Sequence, residues 1–198
     1  MRIIFFTNFR DHPTDYPPFE KEYSIKVLNS TIFCILKMEK NPDKLKQIRM
    51  EAIANLNKTL AINPGNYFEQ TEIGLLYSLT SNYDSSEIHL KQAFRLSPVN
   101  IRSLGNLATL YFNTKKYQES IEFYKKIIEL SPDHVSAYAD IAACYGSIGK
   151  CDSTIYYSKK AIAIDSNYKQ SYHILATTYY SLNNADSGKK YAGIAEKK

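Results

Sequence analysis

Residues 101–134 read IRSLGNLATLYFNTKKYQESIEFYKKIIELSPDH, and their pattern decides the fold. Leu104, Leu107, Ala108 and Tyr111 recur at three- and four-residue steps, which places them on one face of a helix. Ile121, Tyr124, Ile127 and Ile128 do the same further on. Between the two runs lies the polar stretch Asn113-Thr114-Lys115-Lys116, a short turn. The second helix is expected to stop at Ser131-Pro132, because proline lacks an amide hydrogen and pushes the preceding residue away from helical geometry. Neither helix can bury its apolar stripe alone, so like units must stack on it.

The unit recurs outward in both directions. Pro64, Pro98 and Pro132 are spaced by 34, and the next step falls on Ser166. Tyr77, Tyr111, Tyr145 and Tyr179 keep the same spacing of 34. Ile73, Leu107, Ile141 and Leu175 form an aliphatic column, and Gly74, Ala108, Ala142 and Ala176 a small one. Ser86, Ser120, Thr154 and Gly188 are small again. A fixed period of this length is the signature of stacked supersecondary units. The small columns mark places where two helices approach closely and a large side chain would force them apart.

These residues resemble the tetratricopeptide repeat family. The match is Leu-Ala-x-x-Tyr at 107–111, Ser120 and Tyr124 in the second helix, and Pro132 at its end. It extends over 67–100 through Ile73-Gly74, Tyr77, Ser86, Leu90, Ala93 and Pro98. Over 135–168 it rests on Ile141-Ala142, Tyr145, Thr154 and Ala161, and over 169–198 on Tyr172, Leu175-Ala176, Tyr179 and Ala195. The resemblance implies an all-α fold, a right-handed α-solenoid of stacked helix-turn-helix repeats, with four units over 67–198. Tyr111 and Tyr145 are then expected between units, where truncation of a buried aromatic costs about 3–5 kcal/mol. Where the family carries a bulky aromatic early in the first helix, this chain has Tyr138 and Tyr172 in two units but Leu104 and Gln70 in the others. The last unit carries Gly188 and Gly193 in its second helix, which is expected to fray.

Residues 43–62 form a further amphipathic pattern, with Leu45, Ile48, Ala52, Leu56 and Leu60 on one face. Asn41-Pro42 supplies a cap and a first-turn proline. A helix over about 19–39 precedes it, and 19–66 reads as a divergent helical hairpin. Residues 1–18 hold Pro13, Pro17 and Pro18 with Phe5, Phe6 and Phe9, and read as an extended arm that could plug a groove.

The chain of 198 residues is 44% hydrophobic and 23% charged, which excludes a disordered chain, a collagen and a disulfide mini-protein. No run of 18 apolar residues exists, so no direct membrane insertion is expected. Met1 to Phe6 is too short for a secretory core and three cysteines make no disulfide framework, so the cytoplasm is expected. The net charge of +5 is mild. Its basic residues are mostly lysine, in doublets interleaved with acids, which reads as a solvated outer face rather than a nucleic-acid surface.

No catalytic constellation emerges. Gly149-Lys150 hints at a phosphate loop, but Cys151 follows where Ser or Thr is required, and Gly149 reads as the turn inside a repeat. His12, His89, His134 and His173 are scattered, and Cys144 and Cys151 read as packed side chains rather than metal ligands. No metal, cofactor or enzymatic activity is expected. What remains is a surface. In the resembled family, first helices line a concave groove that binds a peptide or partner helix. By matching positions, the groove takes Phe68, Thr71 and Leu75 from the first unit and Arg102, Asn106, Thr109, Phe112 and Asn113 from the second. The third supplies Ala139, Asp140, Ala143 and Ser147, and the fourth Gln170, His173, Thr177 and Tyr180. The family's two-carboxylate clamp for chaperone tails is not matched, because only Asn106 survives and Asp140 would repel a carboxylate. The expected partner is therefore a protein or peptide of another kind. The competing reading is a helical regulatory or scaffold segment of a larger enzyme or membrane-associated protein.

Overall fold

A computed structural model describes residues 39–197. Among the described residues there are nine helices and no strands. They are α1 (Pro42–Ile62), α2 (Tyr67–Leu79), α3 (Tyr83–Leu96), α4 (Ile101–Asn113), α5 (Tyr117–Leu130), α6 (Val135–Ser147), α7 (Cys151–Ile164), α8 (Lys169–Ser181) and α9 (Ala185–Lys197). The arm at 1–18 and the helix expected near 19–39 fall outside the described residues, apart from Glu39, which is not helical. The chain divides into one unit ending at Asn55 and another from Leu56 onward. In the first, Asn41 caps α1 as expected, its Oδ1 accepting from the amides of Asp43 at 3.0 Å and Lys44 at 3.2 Å.

In the second unit α2–α9 are four helical hairpins at the expected period. The hairpin α4–α5 is the opening segment, and α5 ends at Leu130 with Ser131 as its cap, as the proline dictates. Ile73, Leu107, Ile141 and Leu175 are all fully buried. The small column works as expected and does more than spare room. Ser86 Oγ donates to the Gly74 carbonyl at 2.8 Å, and Ser120 Oγ to the Ala108 carbonyl at 2.8 Å, so each hydroxyl ties the second helix of a hairpin to the first. Thr154 turns instead to the carbonyl of Lys150, the residue that caps the start of its own helix.

Each tyrosine of the 34-residue column stacks on a ring twelve residues later. The pairs are Tyr77–His89 at 5.6 Å, Tyr111–Phe123 at 5.6 Å, Tyr145–Tyr157 at 5.5 Å and Tyr179–Tyr191 at 5.4 Å between centroids. Offset stacking of this kind adds about 0.5–1.5 kcal/mol beyond burial. Tyr138 and Tyr172 add a second ring to two of these pairs, each 6.4 Å away. Gln70 occupies the same place in the first hairpin, and its Oε1 hydrogen-bonds His89 Nδ1 at 2.8 Å. A polar pair thus replaces an aromatic one. Despite its two glycines, α9 is helical over Ala185–Lys197, with the Tyr179–Tyr191 stack and buried Ala195 packing it against α8.

The turns inside the hairpins are one motif used four times. Ser81, Lys115, Gly149 and Asn183, again 34 apart, have φ of 60°, 62°, 74° and 56°. The amide that follows each of them returns to the column tyrosine: Asn82 to Tyr77, Lys116 to Tyr111, Lys150 to Tyr145 and Asn184 to Tyr179, at 2.8–3.0 Å. This is the six-to-one closure of a helix C-terminus, which requires a left-handed residue. Only Gly149 adopts it without a Cβ penalty of roughly 1–2 kcal/mol. Lys115→Gly is therefore expected to stabilise the fold by about 0.5–1 kcal/mol after the added freedom of the unfolded chain is subtracted. Gly149→Ala should lose a similar amount. Urea midpoints of the two variants check the pair, and equal midpoints would show that the turn is not strained.

Candidate functional site

The first helices α4 and α6 flank a recess of about 510 Å³. Arg102, Asn106 and Thr109 line it from α4, Tyr124 and Ile127 from α5, and Ser136 and Asp140 from α6, with His134 at the edge. Residues 102, 106 and 109 come together because they lie three and four apart on the α4 face opposite Leu104, Leu107 and Ala108, which are buried.

Several polar side chains converge on this recess. Arg102 forms an ion pair with Glu72 of α2, and its guanidinium lies 5.5 Å from the centre of the Phe68 ring. Burial pushes the Glu72 carboxyl upward and Arg102 only partly offsets it. Tyr124 is buried, and its hydroxyl is 3.1 Å from Thr109 Oγ1. Burial raises its pKa strongly, with the Asp140 charge adding to the effect. Burial raises the Asp140 carboxyl as well, against the opposing hydrogen bond from Gln170, the nearby His134 and the Tyr124 hydroxyl. The Gln170 amide nitrogen lies 3.5 Å from Asp140 Oδ1, at the limit of a hydrogen bond. Asn106 Nδ2 is buried and has no hydrogen-bond partner. A buried amide left unpaired costs about 1–3 kcal/mol.

The expected groove residues separate into three groups. Arg102, Asn106, Thr109 and Asp140 share the recess, with Gln170 reaching Asp140 from α8. Phe68 is exposed beside Arg102, while Asn113, His173 and Thr177 are exposed further away, Thr177 Oγ1 bonding the His173 carbonyl. Others are spent on packing. Thr71 is 2% exposed, and its Oγ1 sits 2.7 Å from Ser103 Oγ of the next hairpin, so it joins two repeats instead of facing the groove. Ala139 is fully buried for the same reason of position. Leu75 is half-buried and Phe112 packs edge-on against Tyr117 at 5.5 Å, whereas Tyr180 stays 46% exposed with its ring beside Gly188. The lining residues outside the expected groove set are Ile101, Gly105, Tyr124, Ile127, His134 and Ser136, the last matching only a clamp position that does not fit. Tyr124 and Ile127 belong to an apolar stripe whose inner members are core, and spacing alone does not show that these two close the floor of an opening.

Among the described residues no group of three or more His, Cys, Asp or Glu side chains could hold a metal ion. Cys144 is buried, its Sγ donating to Ser120 Oγ at 3.3 Å, and Cys151 lies 3.8 Å from the Gly149 carbonyl. No described helix is long and apolar enough to cross a membrane.

The family model for the tetratricopeptide repeat matches residues 101–134, the hairpin α4–α5. No curated protein sequence matches the chain. Solved structures do. A crystal structure of MamA is 21% identical over 80% of this chain and 95% of that one, with a TM-score of 0.70. MamA from residue 41 to its end, from Desulfovibrio magneticus RS-1, is 12% identical over 87% of this chain and 93% of that one, with a TM-score of 0.74. YrrB, described as a TPR protein with an unusual peptide-binding site, is 16% identical over 74% of this chain and 76% of that one, with a TM-score of 0.64. At such identities the likeness is one of fold, an all-α stack of helical repeats.

Proposed function

We propose that the chain is a non-catalytic interaction module that holds a peptide or partner helix along its first helices, centred on the α4–α6 recess. The observation that carries this reading is Asn106, a buried side-chain donor with no partner, at the wall of an open recess shared by two adjacent repeats. An extended peptide offers carbonyl groups at regular intervals, and one of them would satisfy it. The peptide-binding site named for YrrB, a structural relative of the same fold, supports this choice of ligand. Arg102 and Phe68 add a charged and an apolar wall beside it. The role needs no cofactor, no nucleic acid and no membrane insertion, and we place it in the cytoplasm. The arm at 1–18 is proposed as an optional occupant of the groove.

The reading is tested by comparative capture from the source lysate. The baits are the wild-type chain and an Asn106→Ala, Thr109→Ala variant, matched for folding by circular dichroism. Proteins retained by the wild type and lost from the variant are the expected result. Identical sets on both baits would place the working surface elsewhere.

A further inference from the structure

The two charged junctions of the second unit obey one geometry but carry different partners. Glu72, Asn106 and Asp140 stand 34 apart, at the same place on α2, α4 and α6. The residue thirty positions after each comes from the next first helix: Arg102 after Glu72, Ser136 after Asn106 and Gln170 after Asp140. At the first junction the acid meets Arg102 in an ion pair. At the third the acid meets Gln170, whose amide nitrogen lies 3.5 Å from Asp140 Oδ1. The fold therefore places a cation against a carboxylate at one junction and a neutral amide at the equivalent place on the other. Among the described residues no lysine or arginine pairs with Asp140. The permanent cation of the recess, Arg102, is already committed to Glu72 and lies over Phe68.

A partly buried carboxylate with only the edge histidine His134 as a nearby counter-charge, and no paired lysine or arginine, is unfavourable for the free protein. Burial accordingly raises the Asp140 pKa. Such a group persists where a ligand completes it. Asp140 shares the recess with Asn106 of α4, a lining residue whose side-chain nitrogen is buried and unpaired. A carboxylate on one wall and an amide donor on the other fit one kind of segment, a main chain offering a carbonyl and a side chain ending in a cation.

We propose that the α4–α6 recess binds a peptide through a lysine or arginine side chain, its cationic head pairing with Asp140 while a peptide carbonyl accepts from Asn106. The inference rests on the peptide-groove reading above and specifies its ligand. Ser136 and the Thr109–Tyr124 hydroxyl pair supply further polar contacts around the head. Arginine fits the carboxylate in a two-pronged fashion and lysine as a point charge.

The test pans a random dodecapeptide display library on the whole chain. Selected peptides are expected to share one lysine or arginine position. A synthetic copy of the best peptide is then measured by calorimetry in four combinations. Norleucine at the basic position, Asp140→Asn, and Gln170→Arg should each weaken binding about 10- to 100-fold, the range of a charge-assisted hydrogen bond. Gln170→Arg is the decisive variant, because it supplies from within the cation present at the first junction. It changes an exposed residue, so it keeps the test alive if Asp140→Asn fails to fold. Peptides selected without a basic residue, or bound alike by wild type and Gln170→Arg, would overturn the inference and leave the groove reading intact. Peptides that also bind Asn106→Ala, Thr109→Ala undiminished, or no selection at all, would overturn both.

Discussion

Tyr111→Ala is expected to destabilise the protein by about 3–5 kcal/mol, the loss typical of a buried aromatic. Its side chain is 5% exposed and lies in the second of the four hairpins, with a neighbour on either side. The ring stacks on Phe123 at 5.6 Å, and Lys116 Nζ sits 5.5 Å above it. Its hydroxyl donates to Glu87 Oε1 at 3.0 Å, reaching back to α3 of the preceding hairpin. Glu87 is also paired with Lys91 and Lys116, and the lysine contacts hold its carboxyl below the usual range. Tyr111→Phe removes only the hydroxyl and should cost about 0.5–1.5 kcal/mol. Because coupling in a repeat stack runs only between neighbours, a lesion in the middle should also split the urea transition into two steps. A loss below about 1 kcal/mol for Tyr111→Ala would mean that the interface is built from other contacts. Tyr145 occupies the same column but is only half-buried, as is Tyr157 on which it stacks, so the cost expected there from sequence alone is reduced.

The repeat was legible because its core columns hold one chemical character. Aliphatic residues at 73, 107, 141 and 175, and tyrosines at 77, 111, 145 and 179, are visible by type alone. The ring column at 89, 123, 157 and 191 reads His, Phe, Tyr, Tyr, and its only common property is a flat face, which matters once the tyrosine opposite is known. The turn column at 81, 115, 149 and 183 reads Ser, Lys, Gly, Asn. A left-handed residue costs little enough that three of four positions tolerate a side chain, so no glycine signature remains. Expected groove positions went astray where a neighbouring repeat covers them. Thr71 meets Ser103, which lies 32 residues on, so a search at the repeat period does not pair them. The charge relation between Asp140 and Gln170 was equally hidden, because it spans 30 residues and shows its meaning only beside the Glu72–Arg102 pair.

Gly74→Ala should destabilise the second unit by about 1–3 kcal/mol, although alanine is the better helix former by about 1 kcal/mol. The contradiction is settled by what stands opposite. A Cβ at Gly74 would lie 2.5 Å from Leu90 Cγ, 2.7 Å from Leu90 Cδ2 and 3.2 Å from the Leu90 backbone nitrogen. Leu90 is fully buried, so its side chain has no free space to turn into, and the backbone nitrogen is fixed by α3. The other repeats carry alanine at this place, at 108, 142 and 176, and there the residue sixteen positions on is Tyr124, Ser158 or Ala192 in place of leucine. Glycine at 74 is thus the complement of leucine at 90. The two substitutions should couple: Gly74→Ala in a Leu90→Ala background should cost far less than alone, a non-additivity of the kind contacting residues show. Gly193→Ala is the control, since a Cβ there meets nothing within 4 Å and should stabilise α9 by about 0.5–1 kcal/mol. Gly188 lies between these cases, because its Cβ would meet the Tyr180 ring at 2.7 Å, but that ring is 46% exposed and can swing outward. Urea titrations of the three alanine variants should therefore fall in the order Gly193, Gly188, Gly74 from most to least stable. The reverse order would show that helix propensity, and not the close approach of α2 and α3, fixes the small column.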